Sequence, residues 1–106
     1  MAKYLIVASY TAEGMKGVLS KGGTARRDAV AKTVADLGGQ IESFYFAFGD
    51  EDAYVTVELP DNVSAAAIGM AVGASGMVRT KTVVLLTPEE IDKAAKTQLA
   101  YRAPGS

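Results

Sequence analysis

The sequence predicts an α+β domain of βαββαβ order, closed by one further helix. Three observations carry that expectation. Stretches of strand-like alternation and stretches of helical spacing follow one another as β-α-β-β-α-β-α. The two middle strands flank a short polar turn, which is a hairpin signal. The length, 106 residues, fits one domain spanning 1–106.

The first strand is read at residues 3–10, where an apolar run from Tyr4 to Ala8 suits a strand covered on both faces. Residues 12–20 place Met15, Val18 and Leu19 at helical spacing, weakened by Gly14 and Gly17. Gly22 and Gly23 interrupt the helix, and Thr24 is expected to cap a second piece. There Val30, Val34 and Leu37 recur at i, i+4 and i+7, and Gly38-Gly39 ends the run. One broken helix over residues 12–37 is expected.

Residues 40–48 put Phe44, Phe46 and Phe48 on one face and Ser43, Tyr45 and Ala47 on the other. Residues 52–59 set Ala53, Val55, Val57 and Leu59 against Tyr54, Thr56 and Glu58. A two-residue turn at Asp50-Glu51 would pair Phe48 with Ala53, Phe46 with Val55 and Phe44 with Val57. Residues 61–75 form an Ala-rich helix ended by Gly76, and residues 77–86 a last strand. Thr87-Pro88-Glu89-Glu90 then supplies an N-cap Thr, Pro at N1 and Glu at N3. Ile91, Ala94, Ala95 and Leu99 give this helix a narrow apolar stripe, and residues 101–106 form a flexible tail.

Two right-handed crossovers around a hairpin give a ferredoxin-like fold: a four-stranded antiparallel sheet, main helices on one face, and an extra C-terminal helix. The other sheet face is left open. Its expected residues are Tyr45, Tyr54, Thr56, Glu58, Arg79 and Lys81, with part of the first strand. Aromatic and β-branched side chains there favour a cover, and a second copy of the chain is the simplest one. These six residues are therefore candidate interface residues, and a homo-oligomer, a dimer or a multiple of dimers, is expected.

Composition narrows the chemistry. There is no Cys and no His, which removes thiolate nucleophiles, His-based general bases and the commonest metal ligands. No metal site and no cofactor are expected. The formal net charge is −1, so no global field favours nucleic acid. The apolar run at the N-terminus is too short to span a bilayer and lacks the pattern of a signal peptide. Cytoplasmic residence is the expectation.

Several groups could form a ligand site. Lys21-Gly22-Gly23-Thr24 enters a helix carrying Arg26 and Arg27, where free N–H groups and cations could hold a phosphate or carboxylate. The ordinary alternative is a helix kink with solvated arginines. Asp50, Glu51 and Asp52 could bind a cation or form a solvated turn. Tyr10, Tyr45, Phe46, Phe48 and Tyr54 could line an apolar pocket or serve core and interface. Arg79 and Lys81 could pair with Glu58 or with an acid across an interface. The candidate ligand-binding set is Tyr10, Arg26, Arg27, Tyr45, Asp52 and Tyr54.

The chain resembles the GYD-domain family, small bacterial proteins of dimeric α/β-barrel type. The matching stretches are Thr11-Ala12-Glu13-Gly14-Met15-Lys16, Arg26-Arg27, Leu37-Gly38-Gly39, Phe44-Tyr45-Phe46-Ala47-Phe48-Gly49, Leu59-Pro60-Asp61 and Val78-Arg79-Thr80-Lys81-Thr82. The name-giving turn corresponds to Gly49 to Asp52, with Glu51 where the family often has tyrosine. The resemblance implies the same fold and an oligomer. It implies no particular activity. The leading expectation is a non-enzymatic ligand- or partner-binding assembly module. The alternative is a cofactor-free enzyme acting on a small substrate through Tyr, Asp, Glu or Lys. Nucleic-acid binding on the sheet would need exposed aromatics beside cations.

Overall fold

The computed structural model describes residues 1–106. Its elements are β1 (Ala2–Tyr10), α1 (Ala12–Lys21), α2 (Gly23–Asp36), β2 (Gln40–Phe46), β3 (Ala53–Leu59), α3 (Asn62–Ala74), β4 (Val78–Leu85) and α4 (Pro88–Lys96). The sheet order is β2-β3-β1-β4, and every neighbouring pair is antiparallel. This is the βαββαβ arrangement expected from the sequence, with α4 added.

Alternation decides the faces. Tyr4, Ile6 and Ala8 of β1 are buried against the helices, as are Ala53, Val55, Val57 and Leu59 of β3. Val34 of α2, Ala65 and Ile68 of α3 and Val78 of β4 complete the core. Tyr4 is the largest fully buried side chain, and its hydroxyl donates to Asn62 Oδ1 at 2.5 Å. That bond satisfies the one polar atom it carries inward.

Four expectations need correction. The apolar run of β1 is not covered on both sides: Leu5 and Val7 face the open side and are only half-buried. Thr24 caps nothing. The N-cap of α2 is Gly22, whose φ of +88° breaks the chain direction between α1 and α2. The hairpin register differs by two residues: Phe44 lies opposite Val55 and Phe46 opposite Ala53. The Asp52 backbone explains the shift. Its N–H donates to Ala8 O and its carbonyl accepts from Ala47 N, which widens the turn and leaves Phe48 fully exposed outside the strand. An even shift keeps each side chain on its face. Farther along β2, a bulge between Ile41 and Ser43 lets both Ile41 and Phe44 pack on the core. Finally, Leu99 lies beyond the end of α4.

The C-terminal arm stands off the body. Thr87 and Glu90 form the reciprocal capping box with Pro88 at N1, so α4 starts on local chemistry alone. None of its residues is buried. The radius of gyration is 16.9 Å with extents of 56 × 33 × 24 Å. A compact chain of this length has about 13 Å. No helix is long and apolar enough to cross a membrane.

Candidate functional site

Two places bring the candidate residues together: a cleft on the helix side of the sheet and the open sheet face. The cleft begins with Thr11, which caps α1 by accepting from Gly14 N at 3.2 Å and donates to the Gly76 carbonyl at 3.0 Å. Its own N–H donates to Met77 O at 2.9 Å. Gly14 packs so closely that a Cβ there would lie 2.0 Å from Met77 O. These contacts hold the start of α1 on the start of β4. The chain then breaks at Gly22, and α2 packs against β2 with Val34 in the core.

Between α1 and α2 lies a cleft of about 300 Å³. Val18, Ala25, Ala29, Met77 and Val78 form apolar walls; Tyr10, Glu13, Lys21 and Arg26 supply the polar groups. The Arg26 guanidinium carbon lies 5.8 Å from the centroid of the Tyr10 ring, within cation–π range. Arg26 Nε is buried and has no hydrogen-bond partner. Arg27 goes elsewhere, its guanidinium pairing with Asp28 at 3.3 Å on the exposed side of α2. Successive helix residues point about 100° apart, so two adjacent arginines cannot share this cleft.

The open face is ordered in rows across the strands. One row is Gln40, Glu58, Lys3 and Leu85; the next is Ser43, Thr56, Leu5 and Val83; the third is Tyr45, Tyr54, Val7 and Lys81. Ser9 and Arg79 follow at the far end. Lys3 bridges Glu42 and Glu58, the latter at 3.0 Å, and Gln40 donates to Glu58 at 2.9 Å. Hydrogen bonds from Lys3, then Gln40, hold the Glu58 carboxyl below its ordinary range. Bonds to Glu42, then Glu58, raise Lys3.

The hairpin carboxylates do not converge. Glu51 accepts from Lys81 Nζ at 2.8 Å and from the Ser9 hydroxyl. Those bonds, led by Lys81, lower the Glu51 carboxyl, and Glu51 raises Lys81 in turn. Asp52 Oδ2 accepts from Tyr10 N at 2.8 Å, tying the turn to β1. No three acidic side chains gather where they could share a cation. Lys81 thus pairs with Glu51, and Glu58 with Lys3.

The aromatic set is divided as well. Tyr10 lines the cleft, Phe46 packs near Gly23 and tilts against Phe44 at 5.2 Å, and Phe48 stands free. Tyr45 and Tyr54 face each other across β2 and β3 on the open side. Tyr10 and Arg26 are therefore the pair from the candidate ligand set that shares one cavity. Sequence reasoning missed the part of Gly14, Gly17 and Met77 in shaping it. Its one trace is the pair of glycines three apart on α1, which reads equally well as a weak helix.

The family model for the GYD domain matches residues 4–95, nearly the whole of the eight-element fold. Searches of curated proteins and of solved structures returned no match. The matched span contains the Gly49 to Asp52 turn, both faces of the sheet and the α1–α2 cleft, and the chain belongs to the GYD-domain family.

Proposed function

We propose that the chain is a self-assembling module in which two copies meet through their open sheet faces, as a dimer or a multiple of dimers. The observation that carries this reading is the order of the rows on that face. Leu5, Val7, Tyr45, Tyr54 and Val83 occupy its middle rows, while Lys3, Glu42 and Glu58 flank one end, Ser9, Glu51 and Arg79 the other, and Lys81 the β4 edge. An apolar, aromatic centre with a polar rim is the anatomy of a protein interface. No element of the chain lies over it, and Tyr45 is 70% exposed. Among the rim charges, Lys3 pairs with Glu42 and Glu58 and Lys81 with Glu51 within each copy, which leaves Arg79 as the rim cation without an ion pair. The same pairing leaves Lys81 neutralised by Glu51 and weakens any electrostatic case for nucleic acid.

Light scattering on the full chain tests this. The expected result is a dimer or larger even assembly at micromolar concentration. Leu5→Lys sets a charge in the middle of the face, at a half-buried position whose flexible lysine stem can carry the ammonium out to solvent in a lone copy. It should raise the dissociation constant at least about tenfold and leave the far-ultraviolet circular dichroism unchanged. A strictly monomeric wild-type chain overturns the reading. Binding of a single-stranded RNA oligonucleotide by that monomer would assign the face to nucleic acid instead.

A further inference from the structure

Arg26 is a cation without an anion. The ion pairs of the chain engage Lys3, Lys16, Arg27 and Lys81, and none engages Arg26. Its Nε is sealed from solvent with no acceptor. A guanidinium cannot relieve such burial by losing its proton, so only an anion or acceptor can satisfy it. The Tyr10 ring offers a π face but no lone-pair acceptor in line with Nε. Glu13, the one carboxylate lining the cleft, is largely exposed and bonded to Lys16 at 3.2 Å.

We propose that the α1–α2 cleft binds a small organic monocarboxylate, its carboxylate on Arg26 and its apolar body against Tyr10, Val18, Ala29 and Met77. The volume of about 300 Å³ sits at the small end of ligand sites. Two cations, Lys21 and Arg26, against one Glu leave a single positive charge, which matches a monoanion. The apolar walls disfavour a strongly hydrated inorganic phosphate and favour a flat or short hydrocarbon body. Arg is also suited to the forked oxygens of a carboxylate. The cleft lies on the helix side of the sheet, so this proposal stands independently of assembly through the open face.

Calorimetry and thermal shift on the full chain, with benzoate as probe and benzyl alcohol and inorganic phosphate as comparators, test it. Benzoate should bind with a dissociation constant of about a millimolar or tighter and raise the melting temperature. Benzyl alcohol and phosphate should each bind at least about tenfold more weakly. Arg26→Gln should weaken benzoate about 10- to 100-fold with unchanged circular dichroism. Glu13→Gln removes the competing carboxylate and should tighten benzoate binding. Gly17 lines the cleft, and a Cβ there meets nothing within 4 Å. Gly17→Leu should therefore fill the space and abolish binding while keeping or raising the melting temperature. This variant decides the matter even if Arg26→Gln does not fold. Absence of benzoate binding at ten times the expected concentration overturns the proposal. So do equal binding of benzyl alcohol or phosphate, undiminished binding to a folded Arg26→Gln, or undiminished binding to Gly17→Leu.

Discussion

Glu51 ties the hairpin turn to two other strands. Its carboxylate accepts from Ser9 on β1 and from Lys81 on β4. Its neighbour Asp52 holds the other side of the turn on the Tyr10 N–H. The titration of Glu51 follows from those partners. Its carboxyl lies below the ordinary 4.5 because Lys81, then Ser9, stabilise the charged form. A carboxyl depressed in the folded state adds stability above its unfolded pKa, and that stability is lost as pH falls through the folded value. Glu58 and Asp61 shift in the same direction, through Lys3 and through the Ser64 N–H, and load the same acid limb. Glu51→Gln should therefore melt a few degrees at most below wild type near neutral pH. The gap should start to narrow as pH falls toward the ordinary 4.5 and close once pH passes below the depressed folded value, as protonation removes the same charge from the wild type. Melting temperature followed against pH checks both the sign and the window. A constant gap down to acid pH would show that charge on Glu51 is not what the turn uses.

At the scale of elements, strands and helices are placed by different forces. β1 lies inside the sheet, and its inward Tyr4 and Ile6 join Val34 of α2 and Ala65 and Ile68 of α3 in one core. α1 and α2 are separate because Gly22 takes a positive φ that few other residues adopt. α4 owes its existence to Thr87, Pro88 and Glu90 rather than to packing. Its exposed Ile91, with Leu99 and Tyr101 beyond it, has no seat on its own body. Truncation after Leu86 should consequently leave the sheet and its cooperative melt in place. If the arm clasps a second copy, the same truncation should raise the dissociation constant at least about tenfold by sedimentation. Loss of the folded body on truncation would mean that the arm stabilises its own chain.

For the whole molecule, the decisive quantity is how little is buried. Eleven of 106 residues are buried, although 49% of the chain is hydrophobic. Tyr45, Tyr54, Val83, Leu86 and Ile91 remain exposed in the single copy. The proposed assembly would remove part of that surface from water and link stability to concentration. The wild-type melting temperature should rise with protein concentration across a hundredfold range. That of Leu5→Lys should stay flat. A flat wild-type curve would argue that the single copy is the complete folding unit.

Element order, the Thr87 cap of α4 and face assignment were legible in the sequence, because each depends on residues within a turn or two of one another; the cap of α2 was not, since Gly22 rather than Thr24 holds that position. Alternation sorted Tyr54, Thr56 and Glu58 from Val55 and Val57, and Thr87-Pro88-Glu90 announced α4 outright. What depended on distant backbone was not legible. The hairpin register moved by two because Asp52 bonds to Ala8, and no local pattern around Asp50-Glu51 records that bond. Six residues of the open face were expected by number, and the register added Leu5, Val7 and Val83 in its middle and the order of the charges around them. Arg26 and Arg27 are equivalent as sequence. Only the packing of α2 against the rest of the chain sets Arg26 over Tyr10, while Arg27 pairs with its own neighbour Asp28. Local periodicity determines which way a side chain points from its own element. Which partner it meets is decided by how elements far apart in the chain pack together.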